Sequence, residues 1–302
     1  GFEPTSREAF IGANNLLLAA ASGVVLVGTL YPLFVEMLGG APVSVGPPYF
    51  DAAATPLLVL TLLLMPLAPF LPWSNGGAKP ALKQIRAALL LVPAALAGIA
   101  LVWFGAPVLA VIGGALGVWA MAGAVMDIAK AFPLAQTRAL KFAAAGRAMA
   151  HAGVGFIALG AAADASRPPD VNSALGRGES IEIAGHTLTL TDVRRADGPN
   201  YLADRATLAV SDGRTISPER RFYWAADQHT REVGLGSSIT GDIYVSIGEA
   251  RPREDGSAAY EIRAAFHPLV WMLGLGATLI VLGGLSALTA QVLTRRQRAV
   301  LP

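Results

Sequence analysis

The 302-residue chain contains no cysteine. Disulfides, thiolate metal sites, thiol nucleophiles and Cys-x-x-Cys redox chemistry are therefore beyond what this chain can do alone. Charge is scarce too. Asp, Glu, Lys and Arg make up 15% of the residues against 54% hydrophobic ones, the balance of an integral membrane protein. A sequence pI near 9.1 invites a nucleic-acid reading. Outside 167–263, however, the Lys and Arg residues sit in short stretches between apolar runs, which is a topology signal, so no nucleic-acid partner is expected. The opening Gly1-Phe-Glu-Pro-Thr-Ser-Arg-Glu8 shows neither an initiator Met nor a positive region followed by an apolar stretch and a cleavage site. It is not read as a signal peptide, and the start is expected to be the middle of something longer.

Six apolar runs are long enough to cross a bilayer as helices: about Ala9 to Leu38, Ala52 to Leu71, Ile85 to Phe104, Pro107 to Met126, Gly146 to Ala163, and Pro268 to Gln291. Pro66 and Pro93 fall inside the second and third, where neighbouring helices can re-satisfy the freed carbonyls. Arg7, then Lys79, Lys83 and Arg86, then Lys130, Arg138, Lys141 and Arg147, and finally Arg295, Arg296 and Arg298 all fall on one side of this arrangement. The connections Gly39 to Asp51 and Gly105 to Ala106 carry no Lys or Arg. The positive-inside rule then puts both termini in the cytoplasm and the long segment from Asp164 to Phe266 outside. In the first outer loop Pro47-Pro48 stiffens the chain, and Tyr49 and Phe50 are expected at the membrane–water interface. Glu36 and Asp127, near helix ends, are expected within reach of water and receive no role.

The outer segment has a different period. Ile181 and Ile183, Leu188 and Leu190, Leu208 and Val210, and Ile243, Val245 and Ile247 alternate with polar residues. The turn signals Ala184-Gly185, Asp197-Gly198, Asp212-Gly213 and Asp255-Gly256 separate them. This reads as a small antiparallel barrel or sandwich, an OB-like barrel being one option. The expected fold is a polytopic α-helical membrane protein with six transmembrane helices and one external β-rich domain. Helices one to five occupy 1–166, the antiparallel β-domain 167–264, and helix six with a basic tail 265–302.

The run Arg147-Ala-Met-Ala-His151-Ala-Gly-Val-Gly-Phe-Ile-Ala-Leu-Gly160 stands out. A histidine inside a spanning run is costly unless partnered, so it faces the protein interior, either as a metal ligand or hydrogen-bonded to another helix. Gly153, Gly155 and Gly160 leave room for a neighbouring helix or a flat ligand. His186 and His229 are expected to be solvated, and His267 to anchor the outer edge of helix six. Asn14 and Asn15, entering a membrane helix, read as interhelical hydrogen bonders.

Ser6-Arg-Glu8, Asn14-Asn15, Gly28-Thr-Leu-Tyr-Pro-Leu33 and Ser44-Val-Gly-Pro-Pro-Tyr-Phe50, in this order, resemble the C-terminal half of the CcmF family, membrane haem lyase components of cytochrome c maturation. The likeness continues through the His151 helix, Gly198-Pro-Asn-Tyr201, Pro218-Glu-Arg-Arg-Phe-Tyr223, Asp242-Ile-Tyr-Val-Ser-Ile-Gly-Glu249 and Pro268-Leu-Val-Trp271. The chain departs from the family pattern at Asp51, at Thr230-Arg-Glu232 and at Met272-Leu-Gly274.

The resemblance implies that His151 is one of two transmembrane axial ligands of a haem b, the other lying in the N-terminal half. Two imidazoles leave the iron no site for oxygen chemistry and suit an electron carrier. It also implies a bacterial inner-membrane location with a periplasmic β-domain, and a substrate haem delivered by the haem chaperone CcmE. The apocytochrome chaperones CcmH and CcmI are the further partners, and activity requires the N-terminal half. Arg220 or Arg221 could contact haem propionates or a partner carboxylate, or form a salt bridge inside the domain with Glu219. No catalytic residue is assigned. The alternative is a non-catalytic scaffold of the assembly complex. Half of a secondary transporter is disfavoured, because inverted repeats and helices broken at the midplane are not evident.

Overall fold

A computed structural model describes residues 3–73, 86, 95–100, 105–254 and 256–300. The chain divides into two compact units, Gly1–Ala162 with Met272–Pro302, and Ala163–Trp271.

In the first unit, helix α1 (Arg7–Met37) is capped by Ser6, whose hydroxyl accepts the Ala9 N–H at 3.2 Å. Pro47 and Pro48 open α2 (Pro47–Ala53) instead of stiffening a loop, because proline fits the first helical turn, where an N–H has no intrahelical acceptor. Helix α3 (Thr55–Leu64) follows, and a 3-10 turn spans Ala68–Phe70. Pro56 lacks the N–H that would carry the ladder from α2 into α3, and the two segments meet at 42°. Helices α4 (Val108–Leu134), α5 (Arg138–Ala165) and α6 (Trp271–Val300) complete the unit.

Four helices (α1, α4, α5 and α6) are long and apolar enough to span, or five if the bent α2–α3 pair counts as one. Six are therefore not found among the described residues. The expected third span, Ile85 to Phe104 with Pro93, lies mostly outside them, as do Lys79 and Lys83. Lys130, Arg138, Lys141 and Arg147 are helical, leaving only residues 135–137 between α4 and α5. Long basic side chains can remain on a helix and reach water from it, so helices outrun their apolar stretches.

Close backbone approaches define how α5 packs. A Cβ on Gly155 would come 2.7 Å from the Gly117 carbonyl oxygen of α4. One on Gly153 would come 2.5 Å from that of Gly276 on α6, and one on Gly146 2.7 Å from that of Gly283. Small residues allow this contact, and van der Waals packing drives association where lipid removes the hydrophobic incentive. Gly153 and Gly155 are thus filled by helix backbone and not by a flat ligand. Tyr49 and Phe50 lie against Gly28, and Tyr49 Oη donates to the Val24 carbonyl at 3.2 Å, so these rings pack onto α1.

The second unit has a four-stranded sheet, ordered β1-β10-β9-β8, and a larger one along β2-β3-β4-β6-β7 with β5 on β4. The strands are β1 (Val171–Leu175), β2 (Ser180–Ile183), β3 (His186–Asp197), β4 (Leu202–Val210), β5 (Thr215–Ile216), β6 (Glu219–Tyr223), β7 (Gln228–Glu232), β8 (Gly234–Ser237), β9 (Gly241–Pro252) and β10 (Ala258–Pro268). All neighbouring pairs are antiparallel. Leu188, Leu190, Leu208, Ile243, Val245 and Ile247 fill one core with Ile181, Ile183 and Val210. Burying each of the larger ones is worth about 1.5–3 kcal/mol. The β2–β3 turn places Ala184 and Gly185 at φ 48° and 78°, the backbone that a two-residue hairpin requires.

Candidate functional site

His151 and Arg147 stand one turn apart on α5 and face a cavity of about 210 Å³. Arg7, Ile11, Asn14 and Asn15 of α1 close one wall, and Met65, Ala68 and Pro69 close another. Three chain segments therefore converge on the imidazole. Among the described residues its buried Nδ1 has no hydrogen-bond partner, and neither does the buried Oδ1 of Asn14. The expected interhelical bond of Asn14 through this oxygen is thus not made. Arg147 is not idle: its Nε and Nη2 lie 2.7 and 3.0 Å from the two carboxylate oxygens of Asp127. Asp127 is buried on α4 and does not reach water as expected, because the helix continues past it.

Arg220 and Arg221 are neighbours on a strand, so they project to opposite faces and do not converge. Arg220 pairs with the exposed Glu249 at 2.9 Å. Arg221 pairs with the buried Glu219 at 2.8 Å and lies 4.4 Å from the centre of the Tyr201 ring. Arg205 binds the other Glu219 oxygen. Burial works to raise the Glu219 carboxyl, but Arg221 and Arg205 outweigh it and hold the group below its ordinary value. The internal salt bridge with Glu219 is formed, and both guanidiniums have partners within the domain.

His229 is exposed and stacks at 4.7 Å on Phe222. His186 is half-buried against Phe266, 3.5 Å from Asp212, so it is less solvated than expected. His267 gives Nδ1 to Asp164 at 2.7 Å and packs edge-on to Tyr244, a polar partnership not legible from its place near helix six. Close by, the Arg263 guanidinium bonded to Asp170 holds that carboxyl below its usual range. Among the described residues no three His, Asp or Glu gather where a bare metal ion could be held.

The family described as the CcmF C-terminal beta-sandwich matches residues 170–268. The cytochrome c-type biogenesis protein ccl1 of Rhodobacter capsulatus is 35% identical over 298 residues, covering 95% of this chain and 44% of that protein. CycK of Bradyrhizobium diazoefficiens is 34% identical over 95% of this chain and 45% of its own length. A solved structure titled Cytochrome c Heme Lyase CcmF aligns with a TM-score of 0.76 and 22% identity, over 95% of this chain and 46% of that one. That likeness carries the fold, and the chain spans about half the length of the relatives it matches. The chain belongs to the CcmF family, as its C-terminal region.

Proposed function

We propose that this chain serves cytochrome c maturation as the C-terminal half of a membrane haem lyase, with His151 as one axial ligand of a haem b. The observation that carries this is a half-buried imidazole in a spanning helix, opening on a cavity, whose buried Nδ1 has no hydrogen-bond partner among the described residues. One imidazole cannot hold a bare ion, but it suits a porphyrin, which brings four nitrogens of its own. A cavity of about 210 Å³ is smaller than the roughly 300–1,000 Å³ that encloses a drug-sized ligand. It therefore suits one edge of a haem, the rest of which would be held by the N-terminal half and the second ligand that half would supply. Bound there, a bis-imidazole haem supplies one-electron transfer toward the substrate haem.

The chain's own residues orient the ligand: Gly153 and Gly155 lock α5 against its neighbours, and the Arg147–Asp127 pair braces the turn before His151. The protein resides in the bacterial inner membrane as a multi-pass protein with both termini cytoplasmic and a periplasmic β-domain. Its partners there are CcmE, which delivers substrate haem, and the apocytochrome chaperones CcmH and CcmI. Because Arg220 and Arg221 are paired internally, their contact with haem propionates or a partner would require exchange of those pairs. The test is the visible spectrum of the complex purified from membranes with everything that co-purifies. His151→Ala should abolish the b-type Soret band, and an unchanged band would remove His151 as a ligand and leave a scaffold.

A further inference from the structure

Two buried side-chain atoms lack a hydrogen bond among the described residues, and they belong to one cavity: Asn14 Oδ1 and His151 Nδ1. A buried polar atom left unpaired costs on the order of 1–3 kcal/mol, and folded chains leave few of them. Asn14 reaches the cavity from the α1 face that also carries Arg7 and Ile11, and His151 reaches it from α5. The two atoms are chemically complementary. A carboxamide oxygen only accepts, whereas an imidazole that gives one nitrogen to a metal keeps its proton on the other. That N–H then needs an acceptor away from bulk water. The guanidiniums of Arg7 and Arg147 can only donate, Ile11, Ala68 and Pro69 have apolar side chains, and the Met65 thioether is a weak acceptor. Asn15, the other carboxamide in the lining, is an exposed residue, whereas the Asn14 oxygen is buried and unpaired among the described residues.

We propose that Asn14 is the positioning residue of His151: its amide oxygen accepts the Nδ1–H, through one bound water or a side-chain rotation, when Nε2 ligates haem iron. This rests on the haem reading above. The bond fixes the tautomer and the plane of the ring. Its strength sets how basic the ligand is, because a stronger acceptor pushes electron density onto the iron and favours the ferric state.

Potentiometric titration of the b-type spectrum in the intact complex tests this. Asn14→Asp supplies an anionic acceptor and should lower the potential. Asn14→Leu removes the acceptor and should raise it. The expected size is roughly tenfold in the reduction equilibrium for each, about 59 mV for one electron. Opposite signs from two changes at one position are not what a purely structural role produces. Wild-type potentials in both variants, or shifts in one direction, overturn the proposal. If Asn14→Leu does not accumulate, Asn14→Asp decides alone: a lower potential supports, an equal or higher one overturns. His151→Ala in the same preparation separates the layers. A Soret band that survives it overturns the haem reading and this inference together. A band lost there but indifferent to both Asn14 variants overturns this inference only.

Discussion

Arg147 holds Asp127 with two arms of its guanidinium, 2.7 and 3.0 Å from the two carboxylate oxygens, one helical turn before His151. The Asp127 side chain is 6% exposed and that of Arg147 is 34% exposed, so the pair is half-sheltered. Breaking a buried pair from one side costs about 3–5 kcal/mol, because the other charge is stranded. The exposure of Arg147 argues for the low end. Asp127→Leu should therefore lower the thermal stability of the detergent-purified protein markedly. Asp127→Leu combined with Arg147→Met should recover much of that loss, since neither charge is then buried. Equal stability of the single and double variants would show that the pair carries no such burden.

The approach of α5 to α6 makes a sharper demand on side-chain size. Gly153→Ala would place a methyl 2.5 Å from the Gly276 carbonyl and 3.0 Å from the Ile280 amide nitrogen, both backbone atoms that cannot rotate away. Overpacking of this kind costs about 1–3 kcal/mol. Gly284→Ala, on α6 with nothing within 4 Å of the added methyl, is the matched control and should be neutral. Thermal melts of the two variants should separate. Coincident melts would mean that α5 and α6 do not pack through these glycines.

The β-strands were readable because period-two alternation and left-handed turn residues are local: Ile181, Ile183, Leu188 and Leu190 all reach the core the pattern assigns them. The prominence of His151 was readable because an imidazole in an apolar run is conspicuous. Its surroundings were not. Asn14 comes from the far end of the chain, and nothing local says which helix faces which. The burial of Asp127 escapes a local reading for the same reason, its partner lying 20 residues on across a helix boundary. Run length registers apolar residues only, so it underestimates helices such as α4, which continues through Lys130, and α5, which already begins at Arg138. Pro47-Pro48 suggests a stiff loop by composition, but a residue without an N–H equally suits a helix start, and that is where the fold uses it.

In the β-domain, two adjacent arginines should behave differently. Arg221 shares the buried Glu219 with Arg205 and lies over Tyr201, whereas Arg220 meets a Glu249 whose side chain is 72% exposed. Exposed pairs are worth about 0.2–1 kcal/mol, so Arg220→Ala should leave the melting temperature of the domain nearly unchanged. Glu219→Gln removes the one charge that two guanidiniums share and should destabilise by about 1.5–3 kcal/mol, the range for hydrogen bonds to charged groups. A larger loss from Arg220→Ala than from Glu219→Gln would reverse the assignment of which pair holds the sheet.

Acid sensitivity follows from two carboxylates on the same domain. Arg253 grips Glu179 at 2.6 and 2.8 Å, the Gly176 N–H adds a bond at 2.8 Å, and together they lower the carboxyl from 4.5 to about 2. The Arg214 guanidinium, with its own backbone N–H, brings Asp212 from 3.8 to about 2. A carboxylate whose folded value lies below its unfolded one binds fewer protons when folded. Its stabilising contribution is complete above the unfolded value and disappears as pH falls through the folded one. The melting temperature of the domain should therefore drop between pH 4.5 and 2, with Glu179 titrating near the bottom of that window. Arg253→Gln should return Glu179 toward 4.5 and flatten part of the drop, and the carbon resonance of its carboxyl group reports this directly. A wild-type Glu179 that already titrates near 4.5, or an unaltered slope in the variant, would mean that the Arg253 clamp does not form in solution.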